Sequence, residues 1–103
     1  MLRRRVPALA LLLALAAPIC NAQDANLGRN LAATCANCHG TNGNARDVVT
    51  PLAGVPAANI VAALAEFKAG TRPATIMHQI AKGYTDDQVR LIAAYFAAQP
   101  AKP

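Results

Sequence analysis

The chain has 103 residues, with 10 Lys and Arg against 5 Asp and Glu for a net charge of +5. Aromatic residues make up 4% and Trp is absent, so a chain this short has little with which to fill a large core of its own. The six glycines form neither a G-x-G-x-x-G pattern nor a P-loop, which excludes an enzyme with its own nucleotide site.

Residues 1–22 read as an export signal. Arg3, Arg4 and Arg5 form a basic start, Val6 to Ala17 an apolar run, and small residues follow. Cys20 and Ala22 suit the −3 and −1 positions, so cleavage is expected after Ala22, leaving one domain over residues 23–103. The apolar run is short of the roughly 20 residues a membrane span needs. An uncleaved anchor and a lipoprotein processed at Cys20 are the competing readings; the latter would place Ile19 where a small residue is expected. Export from a Gram-negative cell implies a periplasmic protein. Beyond residue 22, seven basic residues face five acidic ones, so most of the excess charge belongs to the leader. That leaves no clustered basic face of the kind nucleic-acid binding requires.

The pattern predicts a helix over Asp24 to Asn37, with Leu27, Leu31 and Cys35 on one stripe. Gly28 beside that stripe is either a site of close helix approach or a tolerated helix glycine. His39 to Pro51 reads as a loop, and Pro51-Leu52-Ala53-Gly54 as a turn. A second helix is expected over Pro56 to Lys68, with Ile60, Leu64 and Phe67 apolar and Gly70 as its stop. Thr71 to Ile76 is a loop, and Met77 to Lys82 a short helical turn before Gly83. The clearest helix is Thr85 to Ala98. Thr85 and Gln88 suit a capping box, Asp86 and Asp87 the positive helix end, and Gln88, Leu91, Ile92 and Tyr95 the buried face. Pro100 ends it. Every element is helical, so the expected class is all-α.

Two cysteines remain after the leader, in Cys35-Ala36-Asn37-Cys38-His39. This is the haem c attachment pattern. Cysteines three apart lie on one side of a helical turn, where both sulfurs reach one porphyrin edge, and the next residue brings an imidazole to the iron. A Cys35–Cys38 disulfide, a thioredoxin-like pair and a zinc site are the competing readings. The second lacks strands, and the third has only His78 left as a further ligand. Met77 is the one methionine beyond residue 22 and suits the second axial position, where a thioether favours Fe(II). Met77 as core filler, His78 as the ligand, or an open sixth position are the alternatives. His78 otherwise reads as an exposed polar residue. Leu52, Ile60, Leu64, Ile76, Ile80 and Leu91 would keep water from the iron, and Lys68, Arg72 and Lys82 would surround an exposed haem edge or form an ordinary solvated face.

Cys35-Ala36-Asn37-Cys38-His39-Gly40, then Pro51-Leu52-Ala53-Gly54, a single later Met and a C-terminal helix resemble a class I c-type cytochrome over the whole chain beyond the leader. The resemblance implies a small fold of three to four helices around one covalent haem. It implies thioether links to Cys35 and Cys38, axial ligation by His39 and Met77, and electron transfer without catalysis by this chain. It further implies that the Pro51 carbonyl accepts the His39 N–H, and that Gly28 and Leu31 meet Leu91 and Tyr95 where the terminal helices cross. The segment Phe67-Lys68-Ala69-Gly70-Thr71-Arg72, with Thr75-Ile76-Met77 and Ile80-Ala81-Lys82-Gly83-Tyr84-Thr85, is similar to cytochrome subunits of flavocytochrome c sulfide dehydrogenase. This implies a flavoprotein partner that oxidises sulfide. The other expectation is a free carrier between respiratory complexes and a terminal oxidase or reductase.

Overall fold

A computed structural model describes residues 25–46 and 48–103. The leader expected over residues 1–22 lies outside them. Five helices follow in order: α1 (Leu27–Ala32), α2 (Ala36–His39), α3 (Ala57–Ala69), α4 (Met77–Ala81) and α5 (Asp86–Ala97). Single 3-10 turns occupy Ala33–Cys35 and Thr41–Gly43, and no strand is present among the described residues. The all-α expectation holds.

α1, the first 3-10 turn and α2 form one continuous helical path, because Ala32, Cys35 and Ala36 all keep right-handed helical backbone. The path tightens where the Thr34 hydroxyl donates back to the Leu31 carbonyl at 3.3 Å, competing with the regular helical pattern. It runs two residues beyond the expected end, so His39 closes a helix instead of opening a loop. Pro56 caps α3 from outside, and Gly70 closes it in left-handed backbone, with its N–H on Phe67 O. At α5 the capping box is complete: Gln88 N–H donates to Thr85 Oγ1 at 3.1 Å, and Thr85 N–H to Gln88 Oε1 at 2.9 Å.

The terminal helices α1 and α5 pack on each other, and α3 packs on both α4 and α5. A Cβ added at Gly28 would stand 2.9 Å from the Leu91 carbonyl oxygen, so the glycine permits close helix approach and is not merely tolerated. The core is Ala32, Ile60, Ile92, Ala93 and Phe96. Phe96 is its largest fully buried side chain, and much of the remaining closure comes from alanine.

The buried line of α5 differs from the expected one. Val89, Ile92, Ala93 and Phe96 are buried, whereas Gln88, Leu91 and Tyr95 are half-buried. α5 is wedged between α1 and α3, so its deepest line runs between the two contacts. Leu91 and Tyr95 lie towards one flank. The loop after α2 is pinned to this corner. Gly43 O accepts from Leu52 N and Ala53 N at 2.8 and 3.1 Å, and Gly54 N–H donates to Phe96 O at 3.0 Å. Asn44 ties down the C-terminal residues, donating to Pro100 O at 3.3 Å and accepting from Lys102 N at 2.8 Å.

Candidate functional site

The helical path from Leu27 to His39 delivers two thiols and an imidazole within five residues. Cys35 is half-buried against the core, Cys38 is exposed, and both are free. Burial pushes the Cys35 thiol up, and the neighbouring Thr34 hydroxyl opposes that shift. Desolvation disfavours the thiolate, so Cys35 is held as a thiol near neutral pH.

His39 Nδ1 lies 2.6 Å from the Thr50 carbonyl oxygen. A carbonyl only accepts, so Nδ1 is the donor in this pair and Nε2 is the ring nitrogen left to meet a ligand. An iron ligand would use that second nitrogen, and the bond fixes the ring's orientation. The acceptor is Thr50 and not Pro51, one residue earlier than the resemblance implied. Leu52 and Ala53 are committed to Gly43 O, which holds the turn on the preceding loop. A residue before proline is restricted to extended backbone, and here it is the Thr50 carbonyl that meets the imidazole.

Met77 opens α4 and is half-buried. Its neighbour His78 is also half-buried, not exposed as expected, and its Nδ1 is buried without a hydrogen-bond partner. The two side chains leave a short helix about 100° apart, so they do not share a direction. Of the residues expected to shield the iron, Ile60 is in the core, and Leu52, Leu64 and Leu91 are half-buried. Ile76 and Ile80, on either side of Met77, are 56% and 38% exposed.

The attachment turn and the Met77 segment are joined by a hydrogen bond of 2.8 Å between the hydroxyls of Thr34 and Tyr84. Either hydroxyl can donate in this pair, and Thr34 also reaches Leu31 O at 3.3 Å. Lys68 Nζ donates to Tyr84 O at 2.6 Å and stands 3.8 Å from Asp86 Oδ1. Arg72 pairs with Glu66 at 2.6 Å and lies over the Phe67 ring. Two of the three expected rim cations are therefore engaged inside the chain. Among the described residues Lys82 has no ion partner. Sequence reasoning missed Thr50, Thr34 and Tyr84. The Thr34–Tyr84 pair is separated by 50 residues, and no local pattern announces it.

The donor set suits a covalently held haem. Cys35 and Cys38 are free to form thioethers, the His39 ring is oriented through Nδ1 with Nε2 left to meet a ligand, and Met77 opens α4, which ends three residues before Tyr84. No helix among the described residues is long and apolar enough to cross a membrane.

The family model described as "Cytochrome c" matches residues 25–99. The chain is 45% identical over 69 residues to the cytochrome subunit of sulfide dehydrogenase from Chlorobaculum tepidum, covering 67% of this chain and 63% of that one. It is 39% identical over 64 residues to cytochrome c-552 of Acidithiobacillus ferridurans, covering 62% of this chain but 28% of the relative. It is 33% identical over 82 residues to cytochrome c-554(548) of Halomonas halodenitrificans, covering 76% of this chain and 99% of the relative. The matches thus span less than two thirds of the first two relatives and nearly all of the third.

Proposed function

We propose that this chain, which belongs to the cytochrome c family, is the electron-accepting subunit of a periplasmic flavoprotein sulfide dehydrogenase. As a member of that family it carries one covalent haem c and transfers single electrons; the chain is not itself the catalyst. The 45% likeness to the Chlorobaculum tepidum subunit carries the proposal. The engaged state of Lys68 and Arg72 supports it. With those cations paired internally, Lys82 is the one expected rim cation without an ion partner among the described residues. An apolar contact suits a bound subunit, whereas a charged rim suits a diffusing carrier.

In the proposed mechanism, Cys35 and Cys38 would hold the haem through their sulfurs. His39 Nε2 and the Met77 sulfur would bind its iron, with the Thr50 carbonyl holding the imidazole ring. Haem c in this setting supplies a one-electron Fe(III)/Fe(II) couple, and a His/Met pair places it at a raised potential. The leader over residues 1–22 delivers the chain to the compartment where the cysteines are joined to haem.

A free diffusible carrier is the second reading, favoured by the likeness to cytochrome c-554(548) over 99% of that relative. Purification from the native periplasm at low salt separates the two. The proposal expects flavin absorbance to co-elute with the c-type haem bands, and sulfide to reduce the haem only while the flavoprotein is present. Haem eluting without flavin, with sulfide reduction unchanged by added flavoprotein, overturns it.

A further inference from the structure

Tyr84 is hydrogen-bonded to α4, to α3 and to the turn that precedes Cys35. It follows α4 by three residues and directly precedes the α5 cap Thr85. Its N–H reaches Ala81 O at 3.4 Å, its carbonyl accepts from Lys68 of α3 at 2.6 Å, and its hydroxyl meets Thr34 at 2.8 Å. Thr34 immediately precedes Cys35, and its hydroxyl also bears on the Cys35 thiol. Among the described residues this hydroxyl pair is the one polar link between the attachment turn and the segment bearing Met77. α4 otherwise packs on α3. The comparable long-range bond, Tyr95 to Asn42 at 2.5 Å, joins α5 to the loop after α2 and bypasses α4.

We propose that Tyr84 is a positioning residue: its hydrogen bond to Thr34 fixes the span between the attachment turn and α4, and thereby sets how firmly Met77 holds the iron. The proposal rests on the reading of Met77 as the sixth ligand. A helix of five residues has little rigidity of its own, and its place is set by what anchors it. Removing the hydroxyl leaves the ring and its packing but frees the α4 corner from the turn. Met77 then gives way more readily to an external ligand.

The test uses the ferric holoprotein and imidazole as probe. Tyr84→Phe is expected to raise apparent imidazole affinity about 5- to 10-fold, the range one lost neutral hydrogen bond supplies. It should also weaken the red sulfur-to-iron charge-transfer band. Thr34→Ala should reproduce the effect, Thr34→Ser should retain the native behaviour, and the Tyr84→Phe/Thr34→Ala double variant should add little to either single one. Tyr95→Phe removes a hydroxyl bond elsewhere and serves as the structural control: it should lower stability and leave imidazole affinity alone. If Tyr84→Phe moves imidazole affinity no more than Tyr95→Phe does, the proposal is overturned. If the unsubstituted protein lacks the charge-transfer band, the Met77 reading falls first and takes this proposal with it.

Discussion

Replacing Gly28 by Ala tests the helix crossing that frames the fold. The added Cβ would lie 2.9 Å from Leu91 O, 3.5 Å from Leu91 C and 3.8 Å from Leu91 Cβ. The closest of these atoms is backbone, so relief requires α1 and α5 to separate. Overpacking of this kind destabilises by about 1–3 kcal/mol. Ala gains at most about 1 kcal/mol over Gly in a helix interior, and less near a helix start. The second position of a six-residue helix is such a place. The net expectation is a loss of about 1 kcal/mol, which lowers Tm by about 4–8 °C in a domain of this size. Gly28→Val adds a branch at the same point and should lose more. Thermal unfolding of the holoprotein by circular dichroism at 222 nm measures both. Asn30→Ala, on the exposed side of the same helix, isolates the propensity gain and should hold or slightly raise Tm. A Gly28→Ala protein as stable as Asn30→Ala, with an unchanged spectrum, would refute the close-approach argument.

Met77→Ala should abolish the red charge-transfer band and lower the reduction potential, measured by spectroscopic redox titration; an unchanged band removes Met77 from the site. Thr85→Ala breaks a complete capping box and should cost about 1 kcal/mol in denaturant unfolding. Lys82→Gln should slow electron transfer with an acidic redox partner at low salt more than Lys68→Gln does, because Lys68 is already engaged by Tyr84 O and Asp86. In the haem-free protein, alkylation of Cys35 should be slower than that of a solvated thiol at neutral pH and should accelerate as the pH rises, since burial raises its pKa and thins its thiolate population. Peptide mapping after iodoacetamide treatment reads this directly.

The helices were legible within a few residues because their signals are local: the capping box at Thr85 and Gln88, Gly70 after α3, and the Cys35, Cys38 and His39 spacing. The Gly28–Leu91 approach was also anticipated, through the resemblance and not through periodicity. What escaped is what depends on tertiary placement. The phase of α5 was misjudged because Ala93 carries little hydropathic weight, yet it is wholly buried where α5 meets its neighbours. The His39 acceptor that the resemblance implies, Pro51, lies one residue late, because the backbone direction at Thr50 decides the bond. The basic rim dissolved once Lys68 was found beside Asp86, which lies 18 residues further along. His78 read as exposed because it is polar, but the packing of α4 on α3 leaves it half-buried.

The first and last helices are each other's partners, and this sets an order of events for the growing chain. A chain that emerges N-terminus first presents Cys35, Cys38 and His39 long before Leu91 exists to receive Gly28. During that interval α1 has no neighbour, and a helix of six residues does not persist alone. The thiols are therefore met as part of a pliant segment, open to whatever joins them to haem. Contacts of such long sequence separation also close slowly. Once α5 arrives and Asn44 secures Pro100 and Lys102, the loop after the attachment turn is latched by the chain's own end. Truncation of those last few residues should thus be felt at the loop that carries Thr50, far from the cut in sequence but next to it in space.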